Sequence, residues 1–269
     1  MTDAQTSGLA CLDGVIGRSE DARIAVTDDG LLRGDGAFEV ARVYAGRPFA
    51  LDDHLARLEN SAANLRLPVD IEAVRADVRD LLHAAEGHDG LVRIVLTRGG
   101  RRLTLTEPLP ELPPSVRLGY VTYSPTRVLD GVKSLSYAAN MLASRLARER
   151  GFDEALLVTP HGRVLEAPTS SLFWVTGGEL LTPPLDDHIL SSITRARLIE
   201  LCAATERACT ADLLAAADEA FLASSVREVQ AIAAIEDRQF APDGAATADA
   251  ARRLSERIAA ELAVVESSA

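Results

Sequence analysis

The chain has 269 residues, of which 47% are hydrophobic and 25% charged, enough to build cores and cover them over two domains. A formal net charge of −12 at pH 7 opposes nucleic-acid phosphates, and no apolar run approaches the roughly 18 residues of a membrane-spanning helix. Three cysteines without CxxC spacing and five scattered histidines argue against a disulfide framework and against a metal site. The N-terminal MTDAQTSGLACLDG lacks the basic and apolar regions of a signal peptide, so a cytoplasmic protein is expected.

In chain order, residues 23–26 read as a short strand. The GDG of 34–36 turns into the alternating strand AFEVARVY, and AGRP leads on to FAL. Asp52 or Asp53 is placed to cap a helix over HLARLENSAANL, with Leu55, Leu58, Ala62 and Leu65 on one face. Asp70 caps a second helix, with Ile71, Val74, Val78, Leu81 and Leu82 inward and Gly87 at its end. LVRIVLTR is a strand, GG a tight turn and RLTLT its partner. These elements make a small α+β domain over 1–106. EPLPELPP (107–114) holds four prolines, which stiffen an extended chain and suit a linker. A larger α+β domain over 115–269 follows. Its strands are VRLGYVTY, EALLVT, RVLE, SLFWV, GELLTPP, EAFLASS and EVQAIAAI. Its helices cover SYAANMLASRLARER, a segment from about Ile193, and residues 246–264.

All but one of the 28 basic residues are arginine; the exception is Lys133. Lysine does two things arginine does not. It can lose its proton near neutral pH, and it can form a Schiff base with an aldehyde. Glu166 ends a strand before a Thr/Ser-rich stretch, and a carboxylate there could hold a protonated ring nitrogen. Ser191, Ser192 and Thr194 stand at a helix start in SSITRARLIEL, where N–H groups and the helix dipole favour an anion. ASSV (223–226) is a second loop of small hydroxyl residues. Arg57 lies on the helix after DDH, where a guanidinium could clamp a phosphate. For each of these positions the ordinary alternative is a solvated or capping residue.

Together these residues resemble the class IV aminotransferase family, the fold-type IV enzymes of pyridoxal 5'-phosphate (PLP). That family includes D-amino-acid and branched-chain aminotransferases, (R)-amine transaminases and 4-amino-4-deoxychorismate lyase. The ordered matches are GDGAFEVARVYAGRPFALDDHLARL, VKSLSYAANMLA, DEALLVTPHGRVLEAPTSSLFWV, LLTPPL and ITRARLIEL. The resemblance implies a fold-type IV architecture of two unequal α+β domains with the site in the cleft between them. It implies PLP as cofactor, Lys133 as the catalytic Schiff-base lysine, Glu166 as partner of the pyridine nitrogen and Arg57 as the phosphate arginine. Ile193 and Thr194, preceded by Ser192, match the phosphate-binding helix start. Ser225, with Ser224 beside it, matches the second phosphate hydroxyl. Tyr137 lies where some members place a tyrosine near the cofactor's phenolic oxygen, and Phe38 and Glu39 fall on the strand that faces substrate.

The sequence departs from that family at three places. Ser171 stands where asparagine is frequent, and Ser192 where glycine precedes the helix. The loop after TRG, which in several relatives helps bind the substrate carboxylate, returns at once to a strand. Arg98, Arg101, Arg102 and Arg127 are the remaining candidates for that carboxylate. The resemblance implies a homodimer acting on an amino acid or primary amine and a keto acid. Its alternatives are a lyase releasing pyruvate and 4-aminobenzoate, and a non-catalytic scaffold that keeps the fold.

Overall fold

The computed structural model describes residues 8–266; residues 1–7, where the segment read as lacking a signal peptide begins, lie outside the described part. The chain divides into two compact units. One runs to Pro110 and includes Val132–Ser136; the other joins Glu111–Gly131 to the residues from Tyr137 onward.

The first unit holds β1 (Leu9–Leu12), β2 (Val15–Arg18), α1 (Asp29–Arg33), β3 (Gly36–Tyr44), β4 (Arg47–Pro48), α2 (Leu51–Asn64), α3 (Ile71–Ala84), β5 (Gly90–Thr97) and β6 (Arg102–Glu107). Its sheet has the order β2–β1–β6–β5–β3–β4, antiparallel throughout. Side chains alternate along a strand. Ala37, Ala41 and Val43 of β3 and Val92, Ile94 and Leu96 of β5 therefore share one core with Leu55, Leu58 and Ala62 of α2 and Val74, Val78 and Leu81 of α3.

Two local expectations are corrected here. Residues 23–26 form no strand. The sheet gains its outer strands from the earlier stretch LACLDGVIGR. Asp13 and Gly14 both take positive φ, 52° and 87°, as a two-residue type I′ hairpin requires, and this turn fixes β2 on β1. Neither Asp52 nor Asp53 caps α2. The cap is Ala50, left-handed at φ 54°, with no side-chain bond, and both aspartates fall in the first turn, where carboxylates complement the dipole. Asp70 does cap α3, accepting the Ala73 N–H at 3.0 Å.

The second unit holds β7 (Ser115–Thr122), α4 (Ala138–Glu149), β8 (Glu154–Val158), β9 (Arg163–Val164), β10 (Ser171–Thr176), β11 (Glu179–Thr182), α5 (Ile193–Cys202), β12 (Thr205–Glu206), β13 (Cys209–Thr210), α6 (Ala211–Ala215), β14 (Glu219–Ser224), β15 (Glu228–Ile235), β16 (Arg238–Gln239) and α7 (Ala245–Glu266). The strands form one mixed sheet ordered β12–β11–β10–β14–β15–β7–β8–β9–β13, with β16 on β15. β7 runs parallel to both β15 and β8. SLFWV and EAFLA are continuous apolar runs because the central strands are buried on both faces. Phe173 and Phe221 stack across β10 and β14 at 5.0 Å. No helix among the described residues is long and apolar enough to cross a membrane.

Candidate active site

The GDG turn governs how Lys133 is held. Gly34 ends α1 in the left-handed region (φ 68°) against Ser136, and Asp35 pairs with Arg98 at 2.9 and 3.1 Å. A Cβ on Gly36 would lie 2.2 Å from the Leu96 carbonyl oxygen and 2.5 Å from Leu135 Cδ1. Only glycine leaves room for Val132–Ser136 to run beside β3. There the Phe38 N–H donates to the Lys133 carbonyl (3.0 Å) and the Leu135 N–H to the Gly36 carbonyl (2.9 Å). The Lys133 N–H donates to Ser61 Oγ at 3.1 Å, and that hydroxyl donates to the Arg57 carbonyl at 2.9 Å. Both backbone polar groups of Lys133 are thus fixed, one by α2 and one by β3. Its Nζ lies 4.2 Å from the Phe38 ring centroid, within cation–π range, and the Arg93 guanidinium approaches the same ring at 5.7 Å.

Glu39, one residue on, points to the opposite face of β3 and meets α2. Its carboxylate is fully buried and takes two hydrogen bonds from Arg57, Nε and Nη2 each at 2.7 Å. His54 Nδ1 lies 2.8 Å from the same carboxylate. Burial alone would raise the Glu39 pKa; the bonds from Arg57 and His54 override it and hold the group at about 2. Burial pushes the His54 pKa down, outweighing the attraction of Glu39, so the neutral ring donates its Nδ1–H. Arg57 therefore commits two of its five N–H donors to Glu39, and the pair is formally neutral.

In the second unit, Glu166 Oε1 accepts the Leu190 N–H at 3.0 Å. Its carbonyl accepts the Leu157 N–H at 2.9 Å. The following turn pairs Ala167 with Ser170. Tyr137 Oη (2.7 Å) and Asn140 Nδ2 (3.0 Å) donate to the Pro168 carbonyl inside that turn, which ties the start of α4 to the residues after Glu166. Ser171 is buried, and its hydroxyl has no hydrogen-bond partner among the described residues. Ser192 caps α5 by accepting the Arg195 N–H at 3.2 Å. The N–H groups of Ile193 and Thr194 open that helix, where no intrahelical acceptor exists and the dipole is positive. β14 and β15 are joined by Ser225, Val226 and Arg227, with Ser224 opposite Glu228. The donor set suits PLP: an amine for an aldehyde, helix-start N–H groups and hydroxyls for a phosphate, and a fixed carboxylate for a pyridinium.

The arginines considered for a substrate carboxylate are differently placed. Arg101 pairs with Asp13 at 2.7 Å, Arg102 with Asp77 at 2.9 Å, and Arg98 with Asp35 and the Leu65 and Arg66 carbonyls. Arg127 is exposed in a short 3-10 turn of the second unit. The sequence reading assigns no role to His54, Ser61 or Asn140. For His54 the signal was present: it precedes Arg57 by three residues, which puts both on one face of α2.

A model of the family "Amino-transferase class IV" matches residues 36–235. The chain is 31% identical to D-alanine aminotransferase of Bacillus licheniformis, across 81% of this chain and 85% of that one. It is 30% identical to aminodeoxychorismate lyase of Bacillus subtilis (strain 168), across 82% and 84%. The structure of a fold IV-transaminase from Curtobacterium pusillum superposes with a TM-score of 0.84 at 30% identity, covering 92% of this chain and 98% of that one.

Proposed function

The chain belongs to the class IV aminotransferase family, whose cofactor is PLP, and on that premise we propose that it is a PLP-dependent transaminase. It moves an amino group between an amino acid or primary amine and a keto acid. The observation that carries the reading is the chain's one lysine, held at both backbone polar groups beside the buried Glu39–His54–Arg57 cluster. Bound PLP supplies the electron sink that makes a substrate α-proton removable.

The protein's own groups do the rest. Lys133 would hold PLP through its amine, and that amine, when free, would serve as the base that takes the substrate α-proton and the acid that gives it back. Glu166, fixed by the Leu190 N–H, would keep a proton on the ring nitrogen. Arg57, the start of α5 at Ile193–Thr194, and Ser225 would hold the phosphate, and Tyr137 would serve the phenolic oxygen. The same reading makes the protein a homodimer.

The lyase relative matches almost as well as the aminotransferase, so the reading needs a test that separates the two. PLP-loaded protein is mixed with a broad set of amino donors and no acceptor. Transamination predicts loss of the PLP absorbance and a pyridoxamine-phosphate spectrum. An unchanged spectrum, with pyruvate released from aminodeoxychorismate, would overturn it in favour of the lyase.

A further inference from the structure

Arg227 closes the loop that carries Ser225, yet its side chain runs inward and is only 13% exposed. The loop is a three-residue connection closed by Glu228 in the left-handed region (φ 53°). Ser224 Oγ accepts the Arg227 N–H at 3.1 Å, so Ser224 shapes the turn while Ser225 occupies its first loop position. From there the Arg227 guanidinium reaches Gln230 Oε1 through Nη1 and Glu154 Oε2 through Nη2 at 3.2 Å. Glu154 is itself buried. Its other oxygen takes Ser144 Oγ at 2.5 Å and the Ala155 N–H at 3.1 Å. Gln230 Nε2 donates to the Pro113 carbonyl at 2.5 Å. One guanidinium thus ties the hairpin loop to α4, to the start of β8 and to the chain ahead of β7.

A buried ion pair is a poor source of stability, because desolvation offsets its attraction, and apolar residues of similar volume often do as well. What the forked, planar guanidinium adds is direction: two donors in a rigid geometry allow one loop arrangement. We propose that Arg227 is a positioning residue, which holds the Ser224–Ser225 hairpin in the single geometry that receives the cofactor phosphate. This rests on the PLP reading above.

The test compares PLP with pyridoxal, which has the same aldehyde and no phosphate. Apo protein is titrated with each, and covalent loading at Lys133 is trapped by borohydride and read by mass spectrometry. The variants are Arg227→Lys, Arg227→Met, Ser225→Ala and Arg227→Lys/Ser225→Ala. Arg227→Lys is expected to weaken PLP binding at least about tenfold and to leave pyridoxal within about twofold. The double variant is expected to be no weaker than Ser225→Ala alone, the non-additivity of residues acting through one another. An unchanged preference for PLP in folded Arg227→Lys or Arg227→Met overturns the proposal. So does an equal loss for PLP and pyridoxal, the mark of a purely structural residue. A wild-type protein with no preference for PLP over pyridoxal fails differently: it overturns the cofactor reading, and the proposal with it.

Discussion

Glu39 shows how a core can accommodate a charged side chain. It occupies a core-facing position of β3 where an apolar residue would be ordinary, and it is tolerated because Arg57 and His54 satisfy it completely. Removing one partner of such a buried set strands the others. Glu39→Ala is predicted to lower unfolding stability by about 3–5 kcal/mol, measured by urea denaturation, and to weaken PLP binding through Arg57. The same cluster sets an acid dependence. Glu39 has its folded pKa depressed to about 2 from 4.5, so its contribution is complete above the upper value and is lost as pH falls toward the lower. His54 is depressed below 6.5, so the unfolded chain takes up its proton first and stability falls as pH drops below that value. His54→Gln is therefore predicted to lose less stability than wild type between about pH 7 and about pH 5. An identical loss in both proteins would contradict a neutral buried His54.

At the scale of elements, turns and close approaches decide where the functional segments lie. The Gly36→Ala Cβ would meet the Leu96 carbonyl and Leu135, so this variant is predicted to displace Val132–Ser136 and reduce Lys133 loading by PLP more than it reduces the melting temperature. Ala50→Gly relieves a left-handed alanine at the head of α2 and should raise stability by roughly 1 kcal/mol in the same denaturation experiment. Most long elements were legible in the sequence, because apolar residues at helical or strand spacing mark α2, α3, β5, β10 and β15 directly. The first hairpin was legible too, in Asp13–Gly14, but the short apolar run IAV of 24–26 competed with it. Two-residue strands such as β4, β12 and β13 carry too few residues for any periodicity to register. At the site, residue types pointed to Lys133, Glu166 and the hydroxyl loops. The engagement of Arg57 by Glu39, and of Arg227 by Glu154, depends on side chains 18 and 73 residues apart, which no local pattern encodes.

The whole molecule confronts an anionic cofactor with a formal net charge of −12. Local donors must therefore outweigh the global field, and PLP association should quicken as added salt screens the repulsion. A homodimer is predicted to elute at twice the chain's mass by light scattering; a monomer that still loads PLP and transaminates would contradict that part of the reading.

Lys133 carries the one side-chain amine on which Schiff-base chemistry depends. The chain has a single lysine, so no other side chain can imitate it. Purified protein incubated with PLP, reduced with borohydride and digested should carry one pyridoxyl phosphate on the peptide containing Lys133, and Lys133→Ala should remain folded and unlabelled. Wild-type protein that stays colourless and unlabelled at Lys133 with excess PLP would contradict the account.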